Sequence, residues 1–367
     1  MELVALAKKY NNFYAPNYHV LIDGKDILRE HFVEITNVSC DDLLEGADSF
    51  SFSINDPGIR WLDRDFFEPG KEVEIKMGYE DQLATMIVGE ITSISPDFPR
   101  EGTPQLEISG FDLSHQFRGV NLLEPFRDKT DSEIVEEIVD AAKHTLRKEI
   151  DPTEPERRQV VQDEDKTVYQ FIEDLAARNF FEFFVKERTL YFRKPGRDRS
   201  EIVTLKYGVS LLSFNPELNT ANQVSEVTVR GWNPQTKEEI VGRAQRGSEE
   251  GRERGRGSEE GRRRERRSGG DIVEDIYGRV EERILDKPVF TQEEADTHAR
   301  SILNRRSEGL IQGSANCIGL PEIRAGVNIK LEGLGQKFSR KYYIARTTHT
   351  ISNSGYSTTF NIKENTI

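Results

Sequence analysis

Six histidines, two cysteines and 65 acidic residues are the groups on offer for chemistry. His19, His31, His115, His144, His298 and His349 include no pair at the helical spacing that would put two imidazoles on one metal. Cys40 and Cys317 are too few for a disulfide framework or a cysteine zinc cluster. There is no glycine-rich phosphate loop and no Gly-x-Ser-x-Gly turn. With so many carboxylates some acidic pair is inevitable. Asp151-Pro152-Thr153-Glu154 and Asp163-Glu164-Asp165 sit in turn-like sequence and read as solvated loops. No nucleophile stands beside a base. The sequence therefore nominates no catalytic, cofactor-binding or metal-ligating residue, and a non-enzymatic role is expected. The alternative is an enzyme, such as a cell-wall hydrolase, whose groups meet only in space.

The 367 residues allow two to three domains. They are 35% hydrophobic and 32% charged, with a net charge of -14. That apolar share is low for a globular chain but too high for wholesale disorder. No run approaches the ~20 apolar residues of a membrane helix. Leu3–Ala7, followed by Lys8 and Lys9, is too short for a signal peptide and has its charges on the wrong side. These features predict a protein made in a reducing cytoplasm, without a membrane anchor. The acidic balance argues against specific nucleic-acid binding, which needs an excess of Lys and Arg.

The elements that must position any site are mostly strands. His31–Thr36, Ser49–Asn55, Lys71–Met77, Ala84–Val88, Glu90–Ile94 and Leu106–Gly110 alternate with period two. In Ser49–Asn55, Phe50, Phe52 and Ile54 share one face and serines the other. Residues 119–205 change pattern. Thr130-Asp131-Ser132-Glu133 caps one predicted helix, and a second starts near Thr167. Phe181–Val185 and Thr189–Phe192 predict a hairpin. Strands return at Leu211–Phe214 and Glu226–Pro234. Thr291-Gln292-Glu293-Glu294 caps a helix running to about Arg306. Four more strands follow at Leu310–Ala315, Asn328–Leu331, Lys341–His349 and Tyr356–Ile362.

Gly242–Gly270 breaks this composition with a ten-residue tandem repeat, Gly247–Arg256 and then Gly257–Arg266. Ten arginines against six glutamates between Arg243 and Arg267 give it +4 and leave -18 on the rest. It holds almost no apolar side chain, so it is expected to be a disordered loop lengthened by repeat expansion. The alternative is an Arg/Gly arm for nucleic acid within a β-rich binding module. The interleaved glutamates and the lack of an aromatic argue against that. Elsewhere the aromatic and β-branched residues of the alternating strands serve either a core or an interface. Phe50, Phe52, Ile54, Val73, Ile75, Val227, Val229, Trp232, Tyr342 and Ile344 are the interface candidates.

The chain resembles the late control protein D family, the baseplate hub proteins of contractile phage tails. It is also similar to the hub part of type VI secretion and extracellular contractile injection system spike proteins. Phe67–Tyr79, Ile87–Ile91 and Leu106–Leu113 carry the resemblance in the first part. Thr228–Pro234 with Lys237 carries it in the middle. Gly319–Gly326, Gly333–Gly335, Tyr342-Tyr343 and Thr348-His349 carry it at the end. The resemblance implies a β-rich α+β fold with two tandem related antiparallel β-barrels and a small inserted α/β domain. The expected division is a first barrel over 1–118, an insert over 119–205 and a second barrel over 206–241 and 271–367, with the loop at 242–270. It implies a homotrimeric ring that adapts a three-fold spike to a six-fold tail tube and nucleates the tube. The expected partners are the chain itself, the tail tube protein, a separate spike protein and other baseplate or tube-initiator proteins. Synthesis in the bacterial cytoplasm and incorporation in a baseplate follow. The chain runs only seven residues beyond Phe360, so the spike is expected to be another protein. The repeat is no part of the family pattern and is expected on the rim of the ring. The -18 outside it suggests a negative bore that repels acidic cargo.

Overall fold

The computed structural model describes residues 3–119, 124–233, 237–249, 267–285 and 289–367. A short helix, α1 (Leu3–Lys9), leads into β1 (Pro16–Ile22) and β2 (Lys25–Asp26). The Asp26 carboxylate accepts from Leu28 N and Arg29 N and so starts α2 (Ile27–His31). That cap makes helix of part of the strand expected at His31–Thr36. Phe32 ends the helix at φ +54°. The strand β3 begins only at Ile35 and runs to Leu43. β4 (Ser49–Asn55) and β5 (Glu72–Tyr79) follow the alternation. The two strands expected over Ala84–Ile94 are one, β6 (Gln82–Asp97), paired with β5 and β7 (Gln105–Asp112). Register shifts opposite Ile75/Lys76 and Ile91/Ser93 let one long strand serve both partners.

The insert contains β8 (Phe126–Lys129), α3 (Asp131–Asp140), β9 (Arg147–Ile150), β10 (Arg157–Val160), α4 (Val168–Asn179), β11 (Glu182–Lys186) and β12 (Thr189–Arg193). Both helices begin where the sequence places them, each with a reciprocal capping box: Thr130 with Glu133, and Thr167 with Gln170. Ile134, Ile138, Phe171, Ile172 and Leu175 close a core with Phe183, Leu190 and Phe192 of the hairpin.

Beyond β13 (Glu201–Lys206) and β14 (Leu211–Leu218), a separate small unit forms. It holds β15 (Glu226–Asn233), β16 (Glu238–Gln245), α5 (Gly269–Tyr277), β17 (Glu281–Ile284) and α6 (Gln292–Ser307). Thr291 and Glu294 form the expected capping box of α6. Val227, Val229, Ile240 and Ala244 pack against Ala295, Ala299 and Leu303 of that helix. The expectation that disorder begins at Gly242 is corrected here. Gly242–Gln245 pair with Glu226–Val229 in β16, and Ser268 caps α5. Residues 250–266 of the repeat lie outside the described residues.

The last strands are β18 (Ile311–Ile318), β19 (Asn328–Glu332), β20 (Lys341–Ser352) and β21 (Gly355–Glu364). They do not stand apart from the first β region. β20 pairs with β3 from Arg346↔Leu43 to Ser352↔Asn37. A thirteen-stranded sheet therefore runs β14-β18-β21-β20-β3-β4-β7-β6-β5-β1-β2, with β13 and β19 attached through β20. One apolar core gathers Phe52, Ile54 and Ile75 with Tyr342, Ile344 and Phe360. The sheet curls until the Tyr18 hydroxyl donates to Ile35 O at 3.2 Å, but no ladder joins β1 to β3 among the described residues. The fold is thus β-rich, around one large, mainly antiparallel sheet.

Gly242 is where the small unit's sheet and helix come closest. A Cβ there would lie 2.2 Å from the Ala295 carbonyl. Gly242→Ala must push α6 off β16. It is expected to cost about 3 kcal/mol, read as a lower urea midpoint, and to speed proteolysis of the small unit.

Candidate junction and assembly surface

The loop between β18 and β19, Gly319–Gly326, is short, glycine-bounded and apolar apart from Glu322 and Arg324. Each end is fixed by a close approach. A Cβ at Gly319 would fall 2.1 Å from the Tyr356 ring, and Gly326 adopts φ +79°. Tyr79 Oη donates to Gly319 O at 2.9 Å. Glu322 accepts from Tyr10 Oη at 2.7 Å and Lys9 Nζ at 2.9 Å, tying down the N-terminal helix. Arg324 reaches into the first β region. Its guanidinium pairs with Asp42 of β3 and donates to Met86 O at 2.6 Å and Thr85 O at 3.2 Å on β6. Ala325 N also donates to Asp42 Oδ2. Lys186, the last residue of β11, donates to Ala325 O at 2.7 Å and lies 3.6 Å from Asp42.

Two β regions and the insert therefore meet on one buried carboxylate. Burial would push Asp42 up, but Lys186 and Arg324 outweigh it and hold the carboxyl below its usual range. His349 backs the loop. Its Nε2 lies 2.8 Å from Ile323 O and its Nδ1 3.0 Å from Tyr356 Oη, which fixes a neutral ring with the proton on Nε2. Burial first, then Arg324, lowers its pKa to about 3. The motifs Gly319–Gly326 and Thr348-His349 are thus parts of one joint.

Three further polar contacts hold the insert. The Tyr343 hydroxyl donates to Glu182 at 2.5 Å, and Arg197 pairs with Glu308 at 2.5 Å while lying over the Tyr343 ring. Arg157 of β10 bridges Asp131 of α3 at 2.9 Å and Glu294 of α6 at 3.3 Å, with all three side chains buried. Glu294 also accepts from Phe290 N at 2.7 Å. The capping residue of α6 is thereby the insert's anchor on the small unit.

Perturbed carboxyls often mark active sites, and Asp48 and Asp112 are perturbed. Burial and the neighbouring Asp42 and Asp112 charges push Asp48 well above its usual range. Burial pushes Asp112 up to about 6. Each side chain belongs to a residue only 3% exposed. Asp48 accepts from Leu43 N, and Asp112 accepts from Asp48 N and from the Ser114 backbone and hydroxyl. They brace the β3–β4 and β7 connections, and no substrate reaches them. Cys40 and Cys317 are also buried, and burial pushes both thiols up. Among the described residues no group of three or more His, Cys, Asp or Glu could hold a metal. No described helix is long and apolar enough to cross a membrane.

The interface candidates fare differently from the helices. Phe50, Phe52, Ile54, Val73, Ile75, Tyr342 and Ile344 are buried in the main core, and Val227 and Val229 in the small unit. Alternation marks the side that turns away from water, and here the chain covers that side itself, so these nine cannot face a partner. Trp232 is 56% exposed. Sequence reasoning missed another surface. β14 is the last strand of the sheet, with β18 on one side and no strand on the other among the described residues. Leu212 and Leu218 are exposed on it, and Tyr207 and Val209 in the stretch just before it. An uncovered strand edge with apolar side chains is a pairing surface.

A family profile described as the Alg8 N-terminal domain matches residues 53–353. No curated protein matches the sequence. Among solved structures, the fold is similar to the 43 kDa tail protein of prophage MuSo2 from Shewanella oneidensis. The TM-score is 0.70 at 13% identity, over 95% of this chain and 98% of that one. A tail protein from Neisseria meningitidis MC58 matches with TM-score 0.69 and 14% identity, over 96% and 97%. The E. coli c3393 protein, a type VI secretion component, matches with TM-score 0.59 and 13% identity, over 94% and 76%. The resemblance read in the sequence and the fold agree.

Arg324→Ala leaves Asp42 in the core with only Lys186 and the Ala325 N–H beside it and is expected to cost roughly 3 kcal/mol in urea unfolding. Adding Asp42→Asn removes the under-compensated charge and recovers part of that loss. Asp48 behaves in the opposite sense. A carboxyl whose folded pKa is raised lends full stability below its unfolded value and loses it as pH rises through the folded one. Asp48→Asn keeps an acceptor for Leu43 N and removes the charge. It is expected to stabilise the chain by ~1 kcal/mol at pH 8, with the gain shrinking as the pH falls toward 5, measured by thermal melts across that range.

Proposed function

The chain belongs to the Alg8 N-terminal domain family, and from its fold we propose that it is the structural baseplate hub of a contractile phage tail or a tail-like injection device. The observation that carries this reading is a fold shared nearly end to end with prophage tail proteins, 95% of this chain against 98% of the Shewanella one. In this reading three copies close a ring. A three-fold spike, a separate protein, seats on one face. The tail tube protein starts on the other, with further baseplate or tube-initiator proteins around it. Each copy brings two β halves, taken as two related barrels, so three copies offer six similar units to a six-fold tube. Internal duplication thus resolves the symmetry mismatch within a closed point group. The hub works by shape and contact and has no substrate. It is made in a bacterial cytoplasm and built into the particle there.

The free edge of β14 is the proposed contact between copies. It offers main-chain donors and acceptors together with Leu212 and Leu218, and Val209 stands in the turn just before it. Light scattering of the purified chain is expected to give three times the monomer mass of 42.1 kDa, stable on dilution. Leu212→Glu with Val209→Glu should return it to 42.1 kDa without loss of fold. A chain that stays monomeric alone and with its tube and spike proteins would sink the hub.

A further inference from the structure

The sheet's solvent side carries a pattern that neither the core nor the joint uses. Across six strands, directly paired residues are Ser357, Thr350, Ser39, Ser51, Ser109 and Ser93. This hydroxyl row runs from β21 through β20, β3, β4 and β7 to β6 without a break. It crosses the seam between the two β regions. The row above it reads Thr359, Thr348, Asp41, Ser49, Phe111 and Glu90. The row below reads Ser352, Asn37, Ser53, Glu107 and Ser95. Three of these seventeen positions are charged in a chain that is 32% charged. Two of the three are paired, Asp41 with Arg346 at 3.1 Å and Glu90 with Lys143 of the insert at 3.3 Å.

The face is unfit for most partners. Phe111 is its one large apolar side chain, so it offers little to anchor a protein. It has no Lys/Arg excess to hold a phosphate backbone. Its hydroxyls bond one another, as Ser39 Oγ does with Thr350 Oγ1 at 3.3 Å, and only Glu90 at its β6 end bonds outside the face. The insert docks mainly on the opposite side of the sheet, through buried Asp42 and Tyr343, and reaches this face only at its β6 end, where Glu90 meets His144 at 2.8 Å. What suits short hydroxyls in rows is water. They hydrate without fixed charge, have little side-chain entropy to lose, and leave nothing protruding to catch a passing chain.

We infer that this hydroxyl face lines the central passage of the ring. The inference rests on the trimer proposed above. It also follows from continuity: Ser213 of β14 pairs with Asn316, which pairs with Thr359. An interface at the β14 edge would therefore carry the same wall into the next copy. The passage is then nearly neutral and wet, unlike the negative bore that the overall charge suggests. Passage of cargo would depend on weak adhesion rather than repulsion.

Distances between spin labels test this on the assembled full-length chain. Both native thiols are buried, so Ser51→Cys and, separately, exposed Glu164→Cys of the insert can be labelled selectively. The inference expects inter-copy distances at position 51 to be clearly shorter than those at 164. Equal distances, or the reverse order, put the hydroxyl face outside and overturn it while leaving the ring intact. No inter-copy signal at either site, with a mass of one chain, removes the ring and the lining together. Ser109→Cys on the same row must give the same order as Ser51→Cys, or the inference falls.

Discussion

Asp42 is a carboxylate sealed in a protein interior, and its stability there depends on Arg324. Burying one ion costs several kcal/mol after relaxation, and only close opposite charge with further hydrogen bonds offsets this. Arg324 supplies a charge to Asp42 and two donors to the carbonyls of β6. Lys186 adds a second charge from the insert. An apolar contact would hold the same pieces together while tolerating sliding. A guanidinium fork does not, because a shift of an ångström breaks its geometry. The joint therefore sets the register between the β20 side and the β3–β6 side of the sheet. It also fixes the angle at which the insert leaves it.

That arrangement explains how a chain only 35% apolar holds three units together. Each unit has a small core of its own, and the largest is shared by both β regions. Between units the contacts are charged: Asp42 with Arg324 and Lys186, Glu308 with Arg197, and Arg157 with Asp131 and Glu294. Such contacts add little net stability but discriminate sharply against wrong docking, because a misplaced partner leaves a buried charge alone. For a part that must present fixed surfaces to several neighbours, orientation matters more than the depth of the energy well.

The legible parts of the sequence were those decided locally. A capping box needs four residues, and Thr130, Thr167 and Thr291 all start helices where they stand. Ser49–Asn55 alternates so regularly that its bounds can be read directly. The illegible parts were decided at a distance. Pro16–Ile22 lacks clean alternation, and Arg147–Ile150 and Arg157–Val160 are too charged to read as strands. They become strands because β5, β12 and β8 are waiting for them. The interface candidates failed for a related reason. Period-two patterning reports which face is dry, not which molecule dries it. Arg324 did leave a signal, an arginine among apolar residues between two glycines, but its partner lies 282 positions away.

The same alternation contained a second message on its other face. In Ser49–Asn55 the serines look like the default polar side of a half-buried strand, and one strand gives no reason to think otherwise. Only the pairing register turns separate serines and threonines into a row across six strands. Two positions of that row come from the second β region and four from the first, so it exists only when β20 meets β3 in one register. A slip of one residue at that seam would bring core positions to the surface. The Asp42–Arg324 joint guards that register directly, since Asp42 lies on β3 within the paired stretch. The buried charge and the hydroxyl face are therefore two consequences of one constraint. The contact that fixes how the two β regions meet also decides that their common outer wall is continuous, short-chained and nearly uncharged.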